Sequence, residues 1–245
     1  MIHFLKKIII RKLILLLSTF IFLSKLKIKK YENFKIELDI SEYTQNSIYF
    51  NDYDKNIRHF IKPIINGNEI FIDVGANVGF YTLFFSGLLT NGKIFSYEAD
   101  KKNFFKLKKN IKLNNFKNIS YFNFGISSYD GKAKLVNTSL YNEGGHYINT
   151  SKNLFNNKKI NVIKVHKLDT LLKIKKKKVF IKIDVEGHEP HVLSGMIKIL
   201  KNNNSILIIE VGQDKENFAI KKILKKYKYF EKKRFGINSI FTKKI

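Results

Sequence analysis

The sequence predicts an α/β fold in which a doubly wound, mostly parallel sheet is closed by an antiparallel C-terminal hairpin. Three observations predict it. Short β-branched and aromatic runs alternate with stretches of helical periodicity from residue 68 onward; two of those runs end in an acidic residue followed closely by glycine; and the last two apolar runs are joined only by Phe235-Gly236. Such alternation calls for parallel strands linked by right-handed crossovers.

Ile70–Val74 reads as a buried strand and Phe80–Leu89 as a helix. Lys93–Glu98 is the second strand. Lys101–Asn115 is a lysine-rich helix that buries Phe104, Phe105, Leu107, Ile111 and Leu113, and Asn118–Phe124 is the third strand. Between Gly125 and Lys167 the pattern changes. Gly131, Gly144 and Gly145, with the alternating runs Ala133–Val136 and Ile160–Val165, predict a hairpin-like excursion instead of another βαβ unit. Alternation then resumes with a short helix at Leu168–Leu172, a strand at Val179–Asp184, a helix at His188–Lys201, a strand at Ser205–Val211 and a helix at Phe218–Lys226. Tyr229–Arg234 and Ile237–Thr242 form the closing hairpin.

Three regions are expected: a basic and apolar N-terminal helix over 1–30, an extension over 31–67, and the α/β domain over 68–245. In the first region Lys6, Lys7, Arg11 and Lys12 precede the apolar run Leu13–Leu23, which is shorter than the roughly 20 residues of a spanning helix. No small-residue cleavage site follows. Two readings stand: a helix lying on or anchored in the cytoplasmic membrane face, or a leading helix packed on the domain. The first carries the expectation of a cytoplasmic protein attached to the membrane through residues 1–30.

Net charge is +26, yet arginine occurs only at Arg11, Arg58 and Arg234, and lysine supplies the rest of the 46 basic residues. Base-edge and bidentate phosphate recognition favour the guanidinium fork, so no nucleic-acid partner is expected. The lysines read as a solvated surface, with an anionic glycan or lipid headgroup as the alternative partner. The absence of cysteine excludes disulfides, thiolate metal sites and thiol nucleophiles.

The sharpest signal is Phe71-Ile72-Asp73-Val74-Gly75-Ala76-Asn77-Val78-Gly79-Phe80, a strand that ends in an acid, turns on Gly75 and enters a helix at Gly79. This is where open α/β sheets bind ligands. Val78-Gly79-Phe80 lacks the Lys and Ser/Thr of a phosphate loop, and Asn77 and Phe80 stand where a dinucleotide fingerprint wants glycine. A cofactor made of an amino acid and a nucleoside, without phosphates, suits the turn better. Glu98, at the tip of the second strand, can accept both hydroxyls of a ribose and would repel a 2′-phosphate. The plainer alternatives are a helix cap for Asp73 and a surface acid for Glu98.

The third constellation is Ile181-Lys182-Ile183-Asp184-Val185-Glu186-Gly187-His188-Glu189. Asp184 should open into the same crevice, leaving Glu186, His188 and Glu189 near its rim. His188 is best poised as a base by intrinsic pKa, with Glu186 and Asp184 beside it as catalytic candidates. Glu189 alternatively serves the helix dipole, and His188 a cap or the surface. Asp184 and Glu186 alternate along the strand and are expected on opposite faces, so no metal site is expected.

Asp73-Val74-Gly75-Ala76-Asn77-Val78-Gly79, Glu98, Leu168-Asp169-Thr170-Leu171 and Ile181-Lys182-Ile183-Asp184-Val185-Glu186-Gly187 together resemble the successive motifs of the FkbM family of methyltransferases over about residues 68–242. The resemblance implies a Rossmann-like, class I methyltransferase fold with a seven-stranded sheet and S-adenosylmethionine as methyl donor. It also implies a hydroxyl acceptor on a sugar, glycan or other small molecule. It would place Asp73, Gly75, Asn77 and Gly79 around the methionine part, Glu98 at the ribose and Asp184 near the sulfonium, with Ala76 also among the cofactor-binding residues. A nicotinamide-dependent oxidoreductase and a non-catalytic, membrane-associated binding module are the competing readings.

Overall fold

A computed structural model describes residues 25–137, 146–149, 160–212 and 215–243. In chain order its elements are β1 (Leu26–Lys30), β2 (Lys35–Asp39), α1 (Tyr43–Tyr49), α2 (Lys55–Ile61), β3 (Ile70–Val74), α3 (Phe80–Ser86), β4 (Lys93–Tyr97), α4 (Lys101–Lys112), β5 (Ile119–Phe122), β6 (Gly125–Ile126), β7 (Gly131–Asn137), β8 (His146–Asn149), β9 (Ile160–His166), α5 (Leu168–Leu171), β10 (Lys178–Ile183), α6 (Glu189–Ser194), α7 (Ile197–Asn202), β11 (Asn204–Glu210), α8 (Lys215–Lys226), β12 (Tyr229–Phe235) and β13 (Asn238–Lys243).

Seven strands form the central sheet in the order β12-β13-β11-β10-β3-β4-β5. β11, β10, β3, β4 and β5 are mutually parallel. β13 runs antiparallel to both β11 and β12, which is the expected closing hairpin. The middle strands read as unbroken apolar runs because both their faces are covered. Phe71 and Phe180 point into one core, while Ile72, Ile181 and Leu207 point into the other.

The excursion after β5 is a second, four-stranded sheet, β6-β9-β7-β8, with β7 antiparallel to both β8 and β9. Residues 138–145 and 150–159, which include Gly144 and Gly145, lie outside the described residues.

Two expectations are corrected here. The helix expected over 1–30 does not include Leu26–Lys30, which pairs antiparallel with β2 across a turn closed by the Tyr31 N–H on the Phe34 carbonyl. Phe34, Ile36 and Leu38 alternate and are buried in the core that holds Phe71 and Phe80, so these residues are bound into the fold of the α/β domain. Asn110 of α4 and Asn114 just past its end tie β2 down through its backbone: each side-chain amide accepts from a β2 N–H at 2.8 Å and donates to the carbonyl of the same residue. Residues 1–24 lie outside the described residues, and among the described residues no helix is long and apolar enough to cross a membrane.

The second correction concerns the helix expected over His188–Lys201, which is two helices broken at Gly195. A Cβ there would lie 2.0 Å from the Ser127 carbonyl oxygen, and the Gly195 carbonyl accepts from Asp169 N–H. The Asp169 carboxylate in turn accepts from Lys198 and Ile199 N–H at the start of α7. An apolar periodicity that runs through such a break does not reveal it.

Candidate active site

A cavity of about 480 Å³ opens where β3, β4, β10 and β11 end, at the carboxyl edge of the parallel strands. One end is lined by Gly75, Asn77, Tyr97, Glu98, Ala99 and Ile126. Asp54, Asp184, Glu186 and Glu210 line the other, with Tyr43, Tyr53 and the turn Phe235–Asn238 around them. A recess lined by Asp73, Ala76, Tyr81 and Lys182 shares Tyr53, Gly75 and Asn77 with the cavity.

The glycine turn is held internally. Gly75 and Ala76 both donate to the Tyr97 carbonyl at 3.0 Å, Gly79 donates to the Ala76 carbonyl at 2.9 Å, and Asn77 N–H donates to Glu98 Oε2 at 2.7 Å. With these N–H groups spent inside the turn, it is not an anion cradle, in keeping with a phosphate-free ligand. Gly75 has φ +83°, and a Cβ on it would lie 1.9 Å from the Asp184 carbonyl oxygen. Only glycine lets the end of β3 pass across β10 there. Gly79, at φ +94°, lines neither space; a Cβ on it would meet Leu107 Cδ1 at 2.6 Å, so it serves the packing of α4.

Glu98 is buried, and its other oxygen accepts from Asp100 N–H at 2.8 Å. Asp100 caps α4 by accepting from Lys102 and Asn103 N–H, which fixes the loop that carries Glu98. Burial raises the Glu98 carboxyl to about 7, against the pull of the Asp100 and Asn77 amides. Two amide bonds leave a carboxylate with acceptor sites to spare, here facing the cavity. Asp73 lies in the recess. Thr82 Oγ1 donates to its Oδ2 at 2.7 Å, while Oδ1 is buried without a partner among the described residues. Burial lifts this carboxyl to about 6, against Lys182 and the Thr82 bond.

At the other end, Lys182 is buried and its ammonium lies 2.6 Å from Asp184 Oδ2 and 4.9 Å from the Tyr81 ring centre. Burial disfavours charge on both partners, but each holds the other ionised: Lys182 is raised above its ordinary value and Asp184 lowered below its own. Tyr81 hydroxyl donates to Asp54 Oδ2 at 2.9 Å, and Tyr53 hydroxyl reaches Asp184 Oδ2 at 3.5 Å.

The expectation that Asp184 and Glu186 diverge is corrected. β10 ends at Ile183, Glu186 adopts a left-handed φ of +53°, and carboxylate oxygens of Asp184, Glu186 and Glu210 lie within 4.8 Å of one another. The two-residue alternation of a strand does not extend past its last ladder bond. Glu210 shares a hydrogen bond with Asp184; burial and that bond push it up to about 9. Burial, then Asp184, also raises Glu186.

His188 is corrected as well. It is a buried residue outside the cavity lining, with Nε2 3.0 Å from Ser127 Oγ and its ring stacked on His191 at 4.5 Å. Burial, then His191, lowers it to about 4, so it is neutral near pH 7. Glu189 ties the turn together by accepting from Val185 and Gly187 N–H.

Tyr53, Asp54 and Glu210 were not singled out from the sequence. Glu210 had a signal, an acid ending the apolar run Ile206–Ile209 as Asp184 ends its own. Tyr53 and Asp54 had none, since they sit in a polar stretch with Asp54 at φ +48° before α2.

Comparison with known proteins adds to this geometry. Hexuronic acid methyltransferase AglP of Haloferax volcanii is 28% identical over 148 residues, which are 60% of this chain and 58% of the relative, so the chain spans less than two thirds of that protein's length. Among solved structures, TYW2 of M. jannaschii in complex with AdoMet aligns with 13% identity and a TM-score of 0.47, over 90% of this chain and 84% of that one. The ribosomal protein L11 methylase of Lactobacillus delbrueckii subsp. bulgaricus aligns with 12% identity and a TM-score of 0.46, over 79% of each chain. The methyltransferase FkbM domain matches residues 73–233, from the acid of β3 into β12. With both acidic strand ends and most of the sheet inside that match, the chain belongs to the FkbM family of methyltransferases, whose methyl donor is S-adenosylmethionine.

Proposed function

We propose that the protein transfers a methyl group from S-adenosylmethionine to a hydroxyl of a sugar or glycan. The observation that carries this reading is a single cavity that joins Gly75, Asn77 and Glu98 at one end to Asp184 and Glu186 at the other, inside the family's domain. The curated relative acts on a hexuronic acid, which supports a sugar acceptor.

The residues fit the donor. Glu98 retains acceptor capacity toward the cavity for ribose hydroxyls, Tyr97 and Ile126 offer apolar surface beside it, and Asp73 Oδ1 lacks a donor. Asp184, at the other end, has its backbone carbonyl packed against Gly75 of the donor turn. Bound S-adenosylmethionine supplies a methyl group already activated on a sulfonium, so alignment and exclusion of water can carry most of the rate. The acceptor oxygen forms its new bond to that carbon as the carbon–sulfur bond breaks and its electron pair stays on sulfur. Glu186, exposed in the cavity and with its pKa raised, is the better proton acceptor for the hydroxyl; Asp184 is held by Lys182 and serves position and charge.

Calorimetry with S-adenosylhomocysteine tests the donor end: Glu98→Ala should weaken binding by about tenfold or more, as loss of hydrogen bonds to a charged group implies. Unchanged affinity would remove Glu98 from the site. Incorporation of labelled methyl into an alkali-stable ether of a glycan fraction tests the acceptor, and label recovered only on nitrogen or as an ester would refute it.

A further inference from the structure

Arginine is rare in this chain, and both arginines among the described residues hold a loop at the acceptor end. Of 46 basic residues only Arg11, Arg58 and Arg234 are arginine, and Arg11 lies outside the described residues. Arg58, on α2, reaches back over residues 51–54. Its Nε donates to the Tyr53 carbonyl at 3.1 Å, and one terminal nitrogen donates to the Asn51 carbonyl at 3.2 Å and to Asn51 Oδ1 at 3.0 Å. Arg234, at the facing wall, donates from Nε to the Gly236 carbonyl at 3.1 Å. Asn51 and Asp54 have left-handed φ, +61° and +48°, a conformation that non-glycine residues keep only where their surroundings hold it. The two loops also meet: Asn238 Nδ2 donates to Asp54 Oδ1 at 3.3 Å, and Phe60 of α2 packs on Phe235 with ring centres 5.7 Å apart. Tyr53, Asp54 and residues 235–238 line the cavity, and both loops lie outside residues 73–233, the stretch that the family domain matches.

We infer, resting on the methyltransferase reading, that residues 51–54 and 235–238 form a clamp that selects and orients the acceptor, with Arg58 and Arg234 as its positioning residues. A lysine ammonium gathers its donors on one atom. The planar guanidinium spreads them, so Nε and a terminal nitrogen of Arg58 serve Tyr53 and Asn51 at once. The Arg58 guanidinium carbon also lies 5.3 Å from the centre of the Phe80 ring, on which Tyr53 packs edge-on at 5.6 Å. Phe80 opens α3 directly after the donor turn, so the loop is seated on the better-fixed end of the site. From that seat the Tyr53 hydroxyl reaches Asp184, and Asp54 accepts from Tyr81. Neither arginine is among the residues that line the cavity, so each acts on the acceptor only through the loop it holds. The donor turn is closed by its own bonds and uses neither of them.

The test uses the full chain, labelled S-adenosylmethionine and the glycan fraction that takes up its methyl group. Arg58→Ala should raise the amount of that fraction needed for half-maximal rate by about tenfold, and Arg234→Ala, which loses one bond instead of three, by less. Calorimetry with S-adenosylhomocysteine should find donor affinity within about twofold of the unmutated chain in both, a split that general loosening of the fold would not produce. Arg58→Lys keeps the charge and loses the fork, so it should behave as Arg58→Ala does. It and Arg234→Ala, at an exposed residue, carry the test should Arg58→Ala fail to fold. Because Asp54 and Asn238 join the loops, the double alanine variant should lose less than the product of the single losses. The inference is overturned if half-saturation is unmoved, if Arg58→Lys matches the unmutated chain, or if donor affinity falls in step with acceptor use in Arg234→Ala. Those outcomes leave the methyltransferase reading intact, whereas an unmutated chain that labels no glycan fraction overturns the acceptor reading and this inference together.

Discussion

The two ends of the cavity are built on opposite principles. At the donor end nearly every polar group has a fixed internal partner: Gly75 and Ala76 on the Tyr97 carbonyl, Asn77 and Asp100 on Glu98, Thr82 on Asp73. At the acceptor end Asp54, Asp184, Glu186 and Glu210 lie around one buried ammonium, and a Cβ at Gly236 in the turn Phe235–Asn238 that closes the wall would meet nothing within 4 Å. The first arrangement makes a rigid socket for a constant molecule, and the second leaves charge for a ligand to neutralise. The same sheet edge supplies both.

Substitution at two glycines sharpens this contrast most. Gly75 and Gly236 both have positive φ, +83° and +60°, but a Cβ on Gly75 would strike the Asp184 carbonyl oxygen at 1.9 Å, whereas one on Gly236 meets nothing within 4 Å. Gly75→Ala should cost about 3 kcal/mol or more in unfolding free energy and abolish S-adenosylhomocysteine binding, through backbone strain added to a clash with another strand end. Gly236→Ala should cost about 1 kcal/mol and leave binding in place. Denaturant unfolding of the two variants measures the difference. Equal costs would show that the socket is no tighter than the rim.

The pH dependence of stability comes next. Glu210 is raised from 4.5 to about 9 by burial and by its bond to Asp184, with Glu186 facing it and Lys182 partly offsetting. A carboxyl raised in the folded state binds its proton there after the unfolded chain has lost it. Its contribution is therefore present below about 4.5 and lost as pH rises through about 9. Asp184 is lowered, so its own contribution is lost only below the ordinary carboxyl range and lies outside this window. The melting temperature should fall between about pH 5 and 9, with Glu98 and Asp73, raised to about 7 and about 6, adding to the same fall, so Glu210→Gln should reduce it most in the upper part of that range. A slope unchanged in the variant would place the proton elsewhere in the cluster.

The donor end was also the more legible in the sequence. Its chemistry is local: an acid, a glycine and a helix start within Asp73–Phe80, and a strand-end acid at Glu98, each a short-range pattern with one structural outcome. The acceptor end is assembled from parts far apart in the chain, with Tyr53 and Asp54 before β3, Glu210 at the end of β11 and Gly236 in the last hairpin. Proximity of that kind leaves no spacing to read. The strand alternation and the closing hairpin were legible because periodicity reports burial. The break at Gly195 was not, because its cause is the Ser127 carbonyl in another segment. Glu186 was misjudged because alternation was carried one turn past the end of β10.

His188 marks the boundary of the contrast, and its substitution should have the smallest effect on turnover. It follows Asp184 and Glu186 closely in sequence, yet its ring is turned into the core against Ser127 and His191. His188→Asn should leave kcat within about twofold while lowering unfolding free energy by about 1–2 kcal/mol, the cost of a buried polar pair disturbed without loss of the site. The pH dependence supplies a second check of opposite sign to that of Glu210. Because burial lowers His188 from 6.5 to about 4, its neutral form belongs to the fold, and the stability it contributes above pH 6.5 is lost as pH falls toward 4. The variant should lack that acid-side loss. A large fall in kcat with stability unchanged would instead move His188 into the acceptor end and make the turn after β10, not the facing carboxylates, the seat of proton transfer.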